Sequence, residues 1–520
     1  MKNPTLIKGA TILDGSGAPP FIADVLIADG VIKQISHSIS NELHEDCVVV
    51  EAADKILSPG FINTHSHSEL ELFKDPRLLP VIGQGITTEV LGQDGSSVTP
   101  IDDAHVNELT EGMAPLCGKI DRPYWWRSYG DYMREVEKAD PAVRFVGLIG
   151  HGTVRMTVMG SENRDPSPLE LQQMCDLIDC GMKEGARGVS FGLIYPPSSF
   201  APIDELIAVS RVVARHDGII MVHTRNEMGR LIESFEEMVQ VMKASDVRLQ
   251  ISHLKSLGFL NWGKVLKILD RMEELQAEGY DITFDQYPWT AGSTGMKVIA
   301  PGWAYAGGED EFQKRLCDPL LYEKILKETR EELYVRGSGK SVQIAAVPAG
   351  EFDWMPGLRL DAVAGRLGMD EATAVLYLLQ KTRSAVICVY HAMCEEDVQK
   401  VMQSPYHCVC TDGIVGAVPH PRAYSTFPRF LGRYVRDLGV MSLPAAIRNI
   451  TSEPARRLRL WDRGLVREGM SADLVLFDYD RIIDTNSYAE PKKLPAGICN
   501  VWVKGDLRYT ESSPPVQPSR

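Results

Sequence analysis

Long apolar runs are missing from these 520 residues. No stretch approaches the roughly 18 residues needed to cross a bilayer, and the opening MKNPTLIKGATILDG has only a short apolar patch before Lys8, too little for a signal peptide. Paired cysteines are missing too: the 10 cysteines include no C-x-x-C spacing. They read as reduced, mostly buried thiols, which points to a cytoplasmic protein rather than a disulfide framework. Positive charge is in short supply, with 55 Lys+Arg against 70 Asp+Glu and a formal charge of −15. That balance repels phosphate backbones and anionic lipid, so nucleic acid and membrane are not expected partners. What is present, 44% hydrophobic and 24% charged residues, excludes a disordered or fibrous chain. The length exceeds one compact unit, and nothing in it decides against a homo-oligomer.

The texture changes twice along the chain. Residues 1–57 alternate short strand-like runs with turn signals, and the same texture returns over 458–510 in ADLVLFDYDRII and GICNVWVKGDLRY. Two β-rich ends around a different middle predict one small β-sandwich domain built from both termini, followed by a disordered tail at 511–520. Over 58–457, apolar strands alternate with amphipathic helices. The eight strands are SPGFINTHSHS, GITTEVLGQDG, VRFVGLIGHG, ARGVSFGLIY, GIIMVHTRNE, VRLQISHLKS, YDITFDQYPW and YHCVCTDGIV. Eight such units predict an α/β fold, a (β/α)8 TIM-like barrel. The long segment at about 301–390, between the seventh and eighth strands, is expected to form an inserted subdomain.

Five of these strands end in metal-binding residue types. His65 and His67 follow the first strand two residues apart, so an extended backbone sends both imidazoles to one side. Asp94 follows the second, His223 ends the fifth, His253 follows the sixth and Asp412 the eighth. A single histidine at a strand end is usually a hydrogen-bonded core or surface residue. Four histidines and two aspartates at the ends of barrel strands, where barrel enzymes place their sites, predict a metal centre.

On these residues the chain resembles the amidohydrolase superfamily, and within it the D-aminoacylases (N-acyl-D-amino-acid deacylases). The stretches that carry the likeness include LSPGFINTHSHSE, SFGLIYPPSSFA, MVHTRNE, ISHLKSLG, DQYPWTAGST, TDGIV, HPRAYSTFPRFLGRYVR and GMSADLVLFD. The resemblance implies that His65, His67 and Asp412 hold one metal site and His223 and His253 a second, with Zn2+ as the expected ion. Asp94, in GQDG, stands where the family usually has a bridging cysteine; a carboxylate can bridge two ions but is less zinc-selective. The implied reaction is hydrolysis of an N-acyl-D-amino acid by water held at the metal, with Asp412 as general base and then acid. The D configuration rests on the resemblance alone. A related amide substrate, such as a D-dipeptide, lactam, cyclic imide or hydantoin, stays open, as does an inactive barrel serving as a scaffold.

The expected partner is a small molecule carrying a carboxylate. Lys255, two residues past His253, is a candidate to pair with it, against the alternative of a surface lysine. By resemblance Tyr287 and Ser293 match substrate contacts, Arg422 is a further carboxylate candidate, and His151 is set against a structural hydrogen bond. Two motifs are decoys. Gly188–Gly192 fits G-x-S-x-G, but its apolar run continues past Ser190 instead of turning into a helix. Gly337–Ser341 resembles the end of a phosphate-binding loop but lacks the earlier glycine.

Overall fold

The computed structural model describes residues 3–40, 47–117, 126–414 and 419–511; the predicted tail lies almost wholly outside them. The chain opens with β1 (Thr5–Ile12), β2 (Phe21–Ala28), β3 (Val31–Ser36), β4 (Val48–Glu51) and β5 (Ile56–Pro59). It closes with β18 (Leu474–Phe477), β19 (Ile498–Val503) and β20 (Asp506–Thr510). These eight strands form one sheet of order β20-β19-β18-β5-β1-β2-β3, with β4 also paired to β1. The termini meet where β5 runs antiparallel to β18, Leu57 opposite Leu476. Leu57, Leu474, Leu476 and Trp502 pack in its core.

The barrel strands follow in order: β6 (Phe61–Asn63), β7 (Ile86–Leu91), β8 (Arg144–Gly147) continued by β9 (Ile149–Gly150), β10 (Gly188–Gly192), β11 (Ile219–His223), β12 (Arg248–Ile251), β13 (Ile282–Gln286) and, after an insertion, β17 (His407–Val409). Each lies within one of the eight runs read from the sequence. All pairings between them are parallel. Leu148 N donates to the Leu91 carbonyl (2.9 Å) and so carries the pairing across the break between β8 and β9. β7, β10, β11, β12 and β13 are buried at every position, as strands covered by helices on one face and filling a barrel on the other must be. The barrel closes where Ser66 bridges Gly413 in parallel.

Some of the helices start where the sequence provides a side-chain cap. Ser167 and Glu170 form a reciprocal capping box ahead of Pro168–Lys183, which satisfies two amide donors that the first turn would leave unpaired. Asp318 caps Pro319–Arg336. That helix belongs to the insertion between β13 and β17, which also contains β14 (Gly292–Gly295), β15 (Val342–Ala346) and β16 (Ile387–Tyr390). These three form an antiparallel sheet with β16 central, over a separate core including Phe312, Leu333, Ile344 and Leu376. β14 precedes the segment expected from about 301 and joins this sheet by pairing with β16. Among the described residues no helix is long and apolar enough to cross a membrane.

Candidate metal centre

The six predicted ligands converge at the C-terminal ends of the barrel strands. His65, His67, Asp94 and Asp412 form one cluster and Asp94, His223 and His253 another, with the ligand atoms of each within 4.8 Å of one another. Asp94 belongs to both. Its Oδ2 lies 3.5 Å from His65 Nε2 and 3.6 Å from His67 Nε2; its Oδ1 lies 3.6 Å from His223 Nδ1 and 3.4 Å from His253 Nε2. Asp412 Oδ1 completes the first cluster at 3.7 Å from His65 Nε2 and 3.4 Å from His67 Nε2. These separations are too long for good hydrogen bonds. They match two ligands of a tetrahedral ion with bonds of about 2.0–2.1 Å, which stand about 3.3–3.4 Å apart.

Orphaned polar atoms test the fit independently. Both ring nitrogens of His65 and of His223, and Asp94 Oδ1, are buried with no hydrogen-bond partner. Buried polar atoms are normally paired, and a cation among these groups would satisfy Asp94 Oδ1 and the one nitrogen of each ring that faces the aspartates, His65 Nε2 and His223 Nδ1. Electrostatics agrees. Burial opposes the charged form of His67, yet Asp412 and Asp94 raise its imidazolium to about 10. For His253, burial and Lys255 act downward while Asp94 and Glu227 bring it to about 9. The site draws positive charge, supplied by protons or by metal.

Neighbouring strands set these positions. Asn63, the last residue of β6, donates to Glu89 Oε1 (2.8 Å) and Thr411 Oγ1 (2.9 Å) and accepts from Thr411 N (2.8 Å); Asp412 N donates to the His65 carbonyl (3.0 Å). Asp285 on β13 spans three strands, accepting from Thr64 Oγ1 (2.8 Å), Gln250 Nε2 (2.7 Å) and the His253 amide (2.6 Å). Ser190, the decoy nucleophile, is structural. Its hydroxyl donates to the Gly92 carbonyl (2.5 Å) and accepts from Gly95 N (3.0 Å), which clamps the turn that carries Asp94. The Gly337–Ser341 decoy is the left-handed C-terminal end of Pro319–Arg336 followed by a short 3-10 turn.

A cavity of about 760 Å³ opens over the cluster, with His67, Asp94, His223, His253, Asp412, Lys255, Tyr287 and Ser293 on its wall. Ser293 Oγ is buried without a partner. Lys255 Nζ is engaged, donating to Glu227 Oε1 (2.5 Å) and His253 Nδ1 (2.7 Å). Two further candidates, Arg422 and His151, do not line this cavity. Arg422 is fully buried under the Tyr287 ring, 4.4 Å from its centroid, and its Nη2 holds Asp412 Oδ2 (2.9 Å) and the Ser293 carbonyl (3.1 Å). The Asp412 carboxylate draws it inward. His151 is absent from the cavity wall; its nitrogens bond Ser198 Oγ and Glu205 Oε1, both at 2.8 Å, so it takes the structural alternative.

Sequence patterns do not mark Glu227 or Tyr195, yet both belong to the site. Glu227 Oε1 lies 3.2 Å from His253 Nδ1 and Oε2 lies 3.5 Å from His223 Nε2, so one carboxylate faces both histidines of the second cluster. Its place four residues after His223 in MVHTRNE is the available signal. The Tyr195 ring packs 5.2 Å from that of His223, and its hydroxyl shares a hydrogen bond with Thr294 Oγ1 (2.9 Å). Burial raises its phenol well above the usual range, keeping it protonated.

Residues 328–509 match the sequence profile of the amidohydrolase family. A D-aminoacylase of Alcaligenes xylosoxydans xylosoxydans is 31% identical over 511 residues, covering 98% of this chain and 95% of that protein. The N-acyl-D-glutamate deacylase of Bordetella bronchiseptica, solved with zinc and a phosphonate mimic of the reaction's tetrahedral intermediate, superposes with a TM-score of 0.85 at 28% identity, covering 99% of this chain and 98% of that one. A D-aminoacylase solved for its binuclear metal centre gives 0.83 at 29% identity, with the same coverage.

Proposed function

Because the chain belongs to the D-aminoacylases of the amidohydrolase family, we propose that it hydrolyses the amide bond of N-acyl-D-amino acids with one or two divalent ions held by His65, His67, Asp94, His223, His253 and Asp412. The observation that carries this reading is Asp94, with one carboxylate oxygen turned to each pair of histidines. We propose Zn2+ as the ion, since imidazole and carboxylate suit it; a carboxylate bridge in place of a thiolate also admits Mn2+ or Co2+. When bound, such an ion lowers the pKa of a coordinated water from about 15.7 toward about 7 and polarises the substrate carbonyl.

The protein's own residues supply the proton path and the orientation. Burial would favour protonated Asp412, but Arg422 and then His65 and His67 hold its carboxyl well below the usual range. It therefore stays ionised at working pH and is ready to accept a proton. Arg422 fixes Oδ2 and leaves Oδ1 directed at the histidines. Asp412 takes the proton of the attacking water and returns it to the departing amine nitrogen, without a covalent acyl intermediate. Ser293 and Tyr287 offer hydroxyls to the substrate carboxylate at the wall, while Lys255 adds positive potential as it orients His253.

The test is hydrolysis of N-acetyl and N-formyl amino acids supplied as D and L pairs, with Asp412→Asn as the control. Wild type should cleave the D forms and spare the L forms. Losing the general base should slow D cleavage by about 10²–10⁴-fold. A preference for L substrates would overturn the D assignment, and equal rates for wild type and Asp412→Asn would overturn the proton path.

A further inference from the structure

Four cationic side chains line the cavity: Arg225, Lys255, Lys297 and Arg336. Three are already paired. Arg225 holds Glu237 at 2.9 Å, with its other donors on the Ser199 and Ala201 carbonyls. Lys255 holds Glu227 at 2.5 Å, and Arg336 holds Glu332 at 2.7 Å. Lys297 differs. It sits in the 3-10 turn Met296–Ile299 directly after β14, and among the described residues its ammonium has neither a carboxylate within ion-pair reach nor a hydrogen-bond partner. Burial lowers its pKa, and the more distant Glu309 is the group that opposes this. Lys297 is half-buried, and a cation partly withdrawn from water without a counter-ion gains from an arriving anion.

The cavity's acidic side chains do not provide that anion. Asp94, Asp412 and Glu227 are committed to the histidines, Glu332 to Arg336, and Glu328 accepts from Trp303 Nε1 at 2.9 Å. Glu331 is exposed on Pro319–Arg336, a different element from the turn of Lys297. The substrate's own α-carboxylate has other partners at hand in Ser293 and Tyr287. We propose that Lys297 pairs with a second carboxylate of the substrate, borne on its side chain, so that the preferred substrates are N-acyl derivatives of acidic D-amino acids. This rests on the deacylase reading above.

The experiment compares kcat/KM of the metal-loaded enzyme for N-acetyl-D-glutamate, N-acetyl-D-aspartate, N-acetyl-D-glutamine and N-acetyl-D-methionine, in wild type, Lys297→Met and Lys297→Arg. A charge-assisted contact is worth about 1.5–3 kcal/mol, or about 10- to 150-fold. Wild type should therefore prefer an acidic substrate over the glutamine isostere by at least about tenfold. Lys297→Met should collapse that ratio, chiefly through KM, and Lys297→Arg should largely keep it. An equal loss on all four substrates would mean that Lys297 serves the shared α-carboxylate, and no change on any would mean that it faces solvent; either result overturns the proposal. Calorimetric binding of the product D-glutamate against D-glutamine reads the same contact without turnover. Wild type should favour D-glutamate and Lys297→Met should not; no difference between the two ligands in wild type overturns the proposal. If wild type cleaves no N-acyl amino acid of either hand, the deacylase reading fails by itself, and the calorimetry still decides on Lys297.

Discussion

Asp94, His253 and Asp412 hold φ angles of 55°, 37° and 45°, a region that L-residues with a Cβ seldom occupy and that costs of order 1–3 kcal/mol each. The network around them offsets this, as where Asp285 accepts the His253 amide at 2.6 Å. Glu227 acts on the imidazoles in a comparable way. Its carboxylate faces the far nitrogen of His253 at 3.2 Å and that of His223 at 3.5 Å, and losing a carboxylate behind ligating histidines typically weakens metal affinity by about 10–100-fold. Glu227→Gln should therefore lose metal from the His223/His253 pair while retaining more at His65/His67, as read by metal content after stepwise chelation. His407 gives a pH-dependent case away from the centre. It is buried between Phe284 and Phe430, ring centroids 6.0 Å from each, and burial pushes its imidazolium down to about 3 against a weaker upward pull from the Gln286 backbone. Its folded pKa lies below the unfolded value of 6.5, so the unfolded chain binds the proton first and stability falls as pH drops below 6.5. Between pH 8 and pH 5 that loss is about 2 kcal/mol. Urea melts of His407→Leu should show a pH 8-to-pH 5 loss smaller than that of wild type by about this amount.

At the scale of elements, the centre depends on how closely β10 approaches the turn after β7. A Cβ at Gly192 would lie 1.8 Å from the Asp94 carbonyl oxygen, so the Gln93–Asp94–Gly95 backbone would have to move. Gly192→Ala should reduce metal retention and activity together, with the fold preserved by circular dichroism; unchanged metal content would contradict this dependence. The same elements explain what the sequence disclosed. All eight barrel strands were legible because each is an apolar run that stops at a polar turn, and the ligands were legible because they stand at those stops. Asp285 was not, since an aspartate inside an apolar run reveals its purpose only when Thr64, Gln250 and His253 arrive from other strands. Nor was the inward course of Arg422, which depends on Asp412 being ten residues away along the chain and 2.9 Å away in space. β14 was also hidden, because GSTG has no strand propensity and pairs only when β16, some ninety residues later, lies beside it.

For the whole molecule, the charge of −15 conceals a centre that draws cations and a cavity with an uncompensated ammonium at Lys297. Metal bound only by the folded state adds stability by mass action, about 2.7 kcal/mol at 100 times Kd. An unfolding entropy near 2.1 cal/mol/K per residue gives about 1 kcal/mol/K over 520 residues, so chelation should lower Tm by about 2–3 °C if unfolding is cooperative throughout. Adding back Zn2+ should restore it, and Asp94→Ala should show little response to either treatment in scanning calorimetry. The pairing of β5 with β18 also has a consequence in time. Ribosomes add about 5–20 residues per second, so the 415 positions from Pro59 to Leu474 take roughly 20–80 seconds to be made. Through that interval one edge of β5 waits for its partner with its amide and carbonyl groups uncovered, longer than small domains take to fold. An early-synthesised strand left open in this way is an invitation to pair with another chain, and the yield of this protein in cells should be sensitive to the pace of its own translation.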